Sequence, residues 1–144
     1  MSPLVREYEV PGDDFARAGE ASGHIKSMLK ELGFAPAMIR RVAITTYEAE
    51  INMVIHAGGG EADVEILPDR VSMVLTDHGP GIPDVELAMQ EGWSTAPDNV
   101  RSLGFGAGMG LPNMKKYSDE MTIDSVVGQG TTLKMVVYAQ SEKS

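Results

Sequence analysis

Apolar and polar residues change period several times along this chain, and each change marks an element. LVREYEV (4–10) alternates as a strand does, and Pro11-Gly12 ends it. DFARAGEASGHIKSMLKEL (14–32) reads as a helix closed by Gly33, with Gly19 and Gly23 weakening its middle. Pro36 suits the first turn of a second, long helix that runs to Ala57 and stops at Gly58-Gly59-Gly60. EADVEIL (61–67) and RVSMVLTD (70–77) are strands joined by a turn at Pro68-Asp69. DVELAMQEG (84–92) predicts a short helix, 92–110 is glycine-rich and irregular, and LPNMKKYSDE (111–120) predicts another helix. MTIDSVV (121–127) and TTLKMVVYA (131–139) are strands around Gly128-Gln129-Gly130. The order β-α-α-β-β-α-loop-α-β-β pairs strands locally. It predicts an α+β fold, a two-layer α/β sandwich whose mixed, mostly antiparallel sheet is covered on one face by helices.

At roughly 100° per residue, the long helix gathers Ile39, Val42, Ala43, Tyr47, Ile51, Met53 and Val54 into one apolar arc, with Ile44 and Ile55 at its edge. Just beyond lie Glu48, Asn52 and His56, one turn apart, in a stripe where buried surface meets an opening. A carboxylate and a carboxamide at that spacing suit a hard cation that keeps waters and takes few protein oxygens. By itself the pair reads equally as a solvated helix edge. Glu50 falls inside the apolar arc, and only a local partner would account for it.

Two later stretches add chemistry. In TDHGPGIPD (76–84), Asp77 stands where the strand should still want an apolar residue, so it either makes an ordinary turn with Gly79 or can accept a hydrogen bond from a flat ligand's amino group. Gly79 and Gly81 free the backbone beside it. GFGAGMGLPNM (104–114) sets glycines at 104, 106, 108 and 110 ahead of a helix. Amides of such a loop, with a helix N-terminus, suit an anion. No G-K-[ST] follows, so it is not a P-loop, and no strand precedes it as a dinucleotide fingerprint requires.

Length and composition narrow the picture. The chain has 144 residues, enough for one domain with one core. It has no cysteine, which removes disulfides, thiolate zinc sites and cysteine nucleophiles. A formal net charge of −9 argues against nucleic acid as a partner and serves solubility, or a basic partner surface. No stretch approaches the roughly 18 apolar residues of a membrane span, and no leader pattern opens the chain. The expected compartment is the cytoplasm, with no membrane contact. Residues 140–144 are an expected disordered tail.

The three stretches, in this order on this pattern, resemble the boxes of the GHKL (histidine-kinase-like) ATPase superfamily. Glu48, Asn52 and His56 resemble its N box, DHGPG (77–81) its G1 box, GFGAGMGL (104–111) its G2 box, and GQGTT (128–132) its last glycine–threonine element. The chain is most similar to the small anti-sigma-factor serine/threonine kinases, especially the stressosome switch type. No helix with a phosphoacceptor histidine is seen, and His24 is too isolated to be one. The resemblance implies one Bergerat-type ATP-binding domain over 1–144 with an ATP lid at 93–110, somewhat longer than the subgroup's. It implies ATP and Mg²⁺ as cofactors. Asn52 would hold the metal, and Glu48 would be the general base. Asp77 would bind the adenine amine, supported by Thr131 or Thr132, with Gly79 and Gly81 shaping that pocket. Gly104, Gly106, Gly108 and Gly110 would wrap the triphosphate, with Met109 and Leu111 beside the nucleotide. His56 would brace the phosphate end or serve structure. Arg101 in the lid would offer a positive charge to the γ-phosphate, with Lys115 and Lys116 as other candidates. Trp93 reads as core or as a docking anchor.

The implied function is a protein serine/threonine kinase acting on a small antagonist of the anti-anti-sigma kind. A sigma factor or regulator as further partner, and a homodimer, stay open. The alternatives are an ATP-dependent binding switch with little turnover, or an ATPase subunit of a larger assembly.

Overall fold

A computed structural model describes residues 4–12, 18–82, 85, 89 and 110–140. Strand β1 spans Leu4–Pro11, helix α1 Glu20–Glu31 and helix α2 Pro36–Ala57. Strands β2 (Gly59–Leu67) and β3 (Arg70–Asp77) follow, then helix α3 (Gly110–Tyr117) and strands β4 (Glu120–Val126) and β5 (Gly130–Tyr138). The sheet order is β1-β2-β3-β5-β4, and all four pairings are antiparallel. The expected mixed sheet therefore resolves to a purely antiparallel one, as local pairing demands.

The elements differ from the sequence reading mainly at their ends. The first helix begins at Glu20, because Gly19 takes a left-handed conformation (φ 100°) that no continuing helix allows. Residues 13–17 lie outside the described residues. The helix expected over 111–120 stops at Tyr117, since the sheet captures the next residues: Asp119 N donates to Val136 O at 2.8 Å, and Glu120 is already paired with Val136. Of the helix expected over 84–92, only Val85 and Met89 are described, joined by a helical-turn bond from Met89 N to Val85 O at 3.0 Å.

Alternation decides which face of the sheet is covered. Val64, Ile66, Val71, Met73, Leu75, Leu133, Met135 and Val137 are all buried and point at the helices. Ile25 and Leu29 of α1, Val42, Met53 and Val54 of α2, and Met114 of α3 close the core from above. Truncating one of these to Ala costs roughly 2–5 kcal/mol. The opposite face stays open. There the β1–β2 register sets Glu7 against Asp63 and Glu9 against Glu61, all exposed, so like charges stand directly opposite each other.

Helix α2 lies between α1 and α3 over the sheet. Its buried face is more polar than the arc read from sequence. Tyr47 is exposed, while Arg41, Thr45, Thr46 and Glu50 are buried. Both threonines return hydrogen bonds to the helix backbone, Thr45 Oγ1 to Arg41 O (3.0 Å) and Thr46 Oγ1 to Val42 O (2.7 Å). Arg41 donates to Asp119 Oδ2 (3.0 Å) and Tyr138 O (2.6 Å), tying α2 to the end of the sheet. Among the described residues, every buried side-chain nitrogen or oxygen has a hydrogen-bond partner.

Glu50 has the local partner its position demands. Its Oε2 accepts from Gly19 N (3.0 Å) and Ala21 N (3.1 Å), and its Oε1 from Ser22 N (3.1 Å). Helix α1 has no side-chain cap of its own at Gly19. A carboxylate from α2 takes up its orphan amides instead and meets the positive end of its dipole.

Candidate functional site

The strand-end acid comes first. Along β3, Val71, Met73 and Leu75 face the helices, and Asp77 continues that series at the strand's last position. Its Oδ1 accepts from Gly79 N (3.0 Å) and from Thr131 N (3.2 Å), directly across the β3–β5 pair. Among the described residues nothing bonds to Oδ2. One oxygen is thus spent on fixing the carboxylate, and the other is left to accept from something else.

The surroundings of Asp77 bring sequence-distant boxes together. Thr131 shares its face and is buried, its Oγ1 2.8 Å from Ser125 Oγ. Ser125 Oγ also accepts from Ile82 N at 2.7 Å, and Gly128 N donates to Pro80 O at 2.8 Å. The loop after Asp77 is therefore laced to the β4–β5 turn. Thr132, paired with Thr76, points to the opposite face of the sheet. Of the two threonines named from sequence, only Thr131 sits with Asp77.

Gly79 and Gly81 are also places where the protein packs closely on itself. A Cβ on Gly79 would come within 2.6 Å of Ala57 Cα, and one on Gly81 (φ 78°) within 2.6 Å of Val126 O. The first contact places the end of β3 against the last turn of α2. Gly60 repeats it, since its Cβ would meet Met53 Sδ at 2.8 Å and Asp77 Cα at 3.2 Å.

Along α2, Asn52 and His56 lead back from that junction toward Glu48, about 13 Å of helix axis from Ala57. Asn52 is half-buried and has no hydrogen bond among the described residues. The side chain of His56 lies outside them. Glu48 is half-buried as well, and its Oε1 accepts from Asn113 Nδ2 on α3 at 3.4 Å. Burial pushes its carboxyl above the ordinary glutamate value, partly offset by the Asn113 hydrogen bond.

Helix α3 begins at Gly110, the last residue of the expected lid, and is held by Leu111 and the fully buried Met114. Lys115 and Lys116 are exposed in its last turn, at the other end of the helix from Gly110. Arg101, Gly104, Gly106, Gly108, Met109 and Trp93 lie outside the described residues. His24 is bonded through Nδ1 to Tyr8 Oη at 2.5 Å. Sequence reasoning missed Asn113 and Ser125. Their partners come from tertiary placement: α3 packing on α2 for Asn113, and for Ser125 both the β4–β5 pairing and the loop after Asp77.

The donor set fits an adenine nucleotide with a hard cation. Asp77 Oδ2 offers an acceptor for an exocyclic amine, and the Asn52 carboxamide offers an oxygen that no described residue bonds. Among the described residues no group of three or more His, Cys, Asp or Glu could hold a metal by itself.

This arrangement is that of the histidine kinase-like ATPase domain, whose family description matches residues 13–137, and the chain belongs to that family. Within it, the chain is similar to the serine/threonine-protein kinase RsbT of Bacillus subtilis (strain 168). The two are 33% identical over 117 residues, 78% of this chain and 82% of the relative. It is also similar to the anti-sigma F factor of Pasteuria penetrans, 36% identical over 104 residues, 67% of this chain and 66% of the relative. The anti-sigma F factor of Bacillus velezensis (strain DSM 23117 / BGSC 10A6 / LMG 26770 / FZB42) is 29% identical over 126 residues, 83% of each chain. No helix among the described residues is long and apolar enough to cross a membrane.

Proposed function

We propose that this chain is a protein serine/threonine kinase of the anti-sigma regulatory type, working in the cytoplasm on a hydroxyl of a small antagonist protein. The observation that carries this reading is Glu48: a half-buried carboxylate of raised pKa, one turn from a carboxamide with no hydrogen bond among the described residues, on the helix that abuts the Asp77 strand end. An ATP-binding module that only binds would need Asp77 and Asn52. A kinase also needs a group to take the acceptor's proton.

Asp77 Oδ2 accepts from the adenine amine, while its Oδ1, clamped by Gly79 N and Thr131 N, keeps the carboxylate from turning. Asn52 would hold Mg²⁺ through its carboxamide oxygen. ATP with Mg²⁺ supplies the phosphoryl group and neutralises its developing charge. Glu48 accepts the proton of the attacking hydroxyl. Its partial desolvation keeps it a stronger base than an exposed glutamate. The glycines at 104, 106, 108 and 110 and the cation of Arg101 are assigned to the triphosphate on the sequence resemblance alone.

The relatives' names divide between a kinase and anti-sigma factors, and so do the two readings of this chain. The second reading is a nucleotide-gated binding switch with little turnover. Incubating the protein with γ-labelled ATP, Mg²⁺ and cell extract separates them. A labelled small protein carrying phosphoserine or phosphothreonine is the expected result. ATP-dependent capture of a partner that never becomes labelled would favour the switch.

A further inference from the structure

Asn113 belongs to none of the boxes read from sequence, yet it makes the one side-chain hydrogen bond that Glu48 has among the described residues. It stands in the first turn of α3, three residues past Gly110, between the buried Leu111 and Met114. Its helix is therefore packed hard against α2 on either side of it. Helix α3 is also joined to α2 by Arg40, whose guanidinium lies 5.5 Å from the centre of the Tyr117 ring. The amide is thus presented to Glu48 by a supported element.

We propose that Asn113 is the positioning residue of the base: its amide engages Oε1 of Glu48 and leaves Oε2 for the acceptor hydroxyl. This rests on the reading of Glu48 as the general base. The chemistry of the donor matters. A guanidinium or ammonium there would hold the carboxylate ionised and drop its pKa by one to three units, weakening it as a base. A neutral amide fixes one oxygen while leaving the charge and most of the basicity in place. At 3.4 Å the bond is long, so it steers the carboxylate more than it stabilises it.

The test reads the Glu48 carboxyl directly, by its side-chain carbon resonance against pH, assigned by its loss in Glu48→Gln. In Asn113→Ala the proton affinity of Glu48 should rise roughly two- to tenfold, because a donor that favoured the charged form is gone. In Asn113→Asp it should rise further, since a like charge then faces it. Asn113→Ser, which keeps a shorter donor, should fall between the parent and Asn113→Ala. It also carries the comparison should Asn113→Ala fail to fold. In the phosphotransfer assay the expected change is a lower kcat and a higher acid limb, with KM for ATP unchanged. A Glu48 titration identical in the parent, Asn113→Asp and Asn113→Ser overturns the proposal, as does a change in ATP KM alone. Absence of phosphotransfer by the parent protein would sink the kinase reading and leave the titration result standing by itself.

Discussion

Glu48 and Glu50 are two residues apart on one helix, yet about 200° of helical turn sends them to opposite sides of it. Glu50 faces α1, is 2% exposed, and spends both oxygens on three backbone amides. Glu48 faces α3, stays half-buried, and receives one long amide bond. Among the described residues the first carboxylate has all its bonds made inside the protein, and the second has a single one. Saturated lone pairs make the one an architectural bracket, and the proposed base is the other. Asp77 stands between them, with Oδ1 spent on backbone and no bond to Oδ2 among the described residues.

The largest expected effect is on chemistry. Glu48→Ala should reduce phosphotransfer by about 10²–10⁴-fold, the range of a lost general base, while ADP affinity and thermal stability stay near the parent's. A variant that still transfers phosphate at the parent's rate would erase the contrast between the two glutamates. Glu50→Ala should do the reverse. Three amides at the start of α1 lose their acceptor inside the protein, which costs about 3 kcal/mol of stability, read by urea denaturation. Its nucleotide affinity per folded molecule should be unchanged. Asp77→Ala tests the mixed case. It should weaken ADP binding by roughly 30-fold in calorimetry and also lower stability by about 1 kcal/mol, because Gly79 N and Thr131 N lose their shared acceptor.

The smallest effect sharpens the comparison through pH. Glu48 has a folded pKa above its ordinary 4.5, so the native state binds that proton more tightly than the unfolded chain does. Ionised Glu48 therefore lowers stability at neutral pH. Glu48→Gln should be slightly more stable than the parent at pH 7. The gap should start to close as pH falls through the raised folded pKa and be gone below the unfolded one. The acid limb of kcat should likewise lie above the ordinary glutamate range.

Much of this was legible in the chain. Alternation gave the strands, glycines gave several of the stops, and the Glu48–Asn52 spacing and the misplaced Asp77 pointed to chemistry before any geometry was known. What could not be read has a common cause: it depends on partners far away in sequence. Glu50 looked like a misfit because its ligands lie about 30 residues earlier, on amides that carry no sequence signal. Arg41 and its neighbour Arg40 look alike in sequence. Only Asp119 and the Tyr138 carbonyl pull Arg41 into the core. Thr131 and Thr132 were interchangeable until register put one on each face. At Gly79 and Gly81 the tight contacts are with Ala57 and Val126, neighbours that only the packing of the β3 end on α2 and on the β4–β5 turn supplies.

The cap on α1 also has a consequence in time. A 12-residue helix is marginal alone, and this one begins at a glycine with no acceptor of its own. During synthesis α1 emerges before α2, and the oxygens that start its helix arrive only with residue 50. Helix α1 is therefore made before it can hold. It waits, unwound or flickering, for α2 to follow it out of the ribosome.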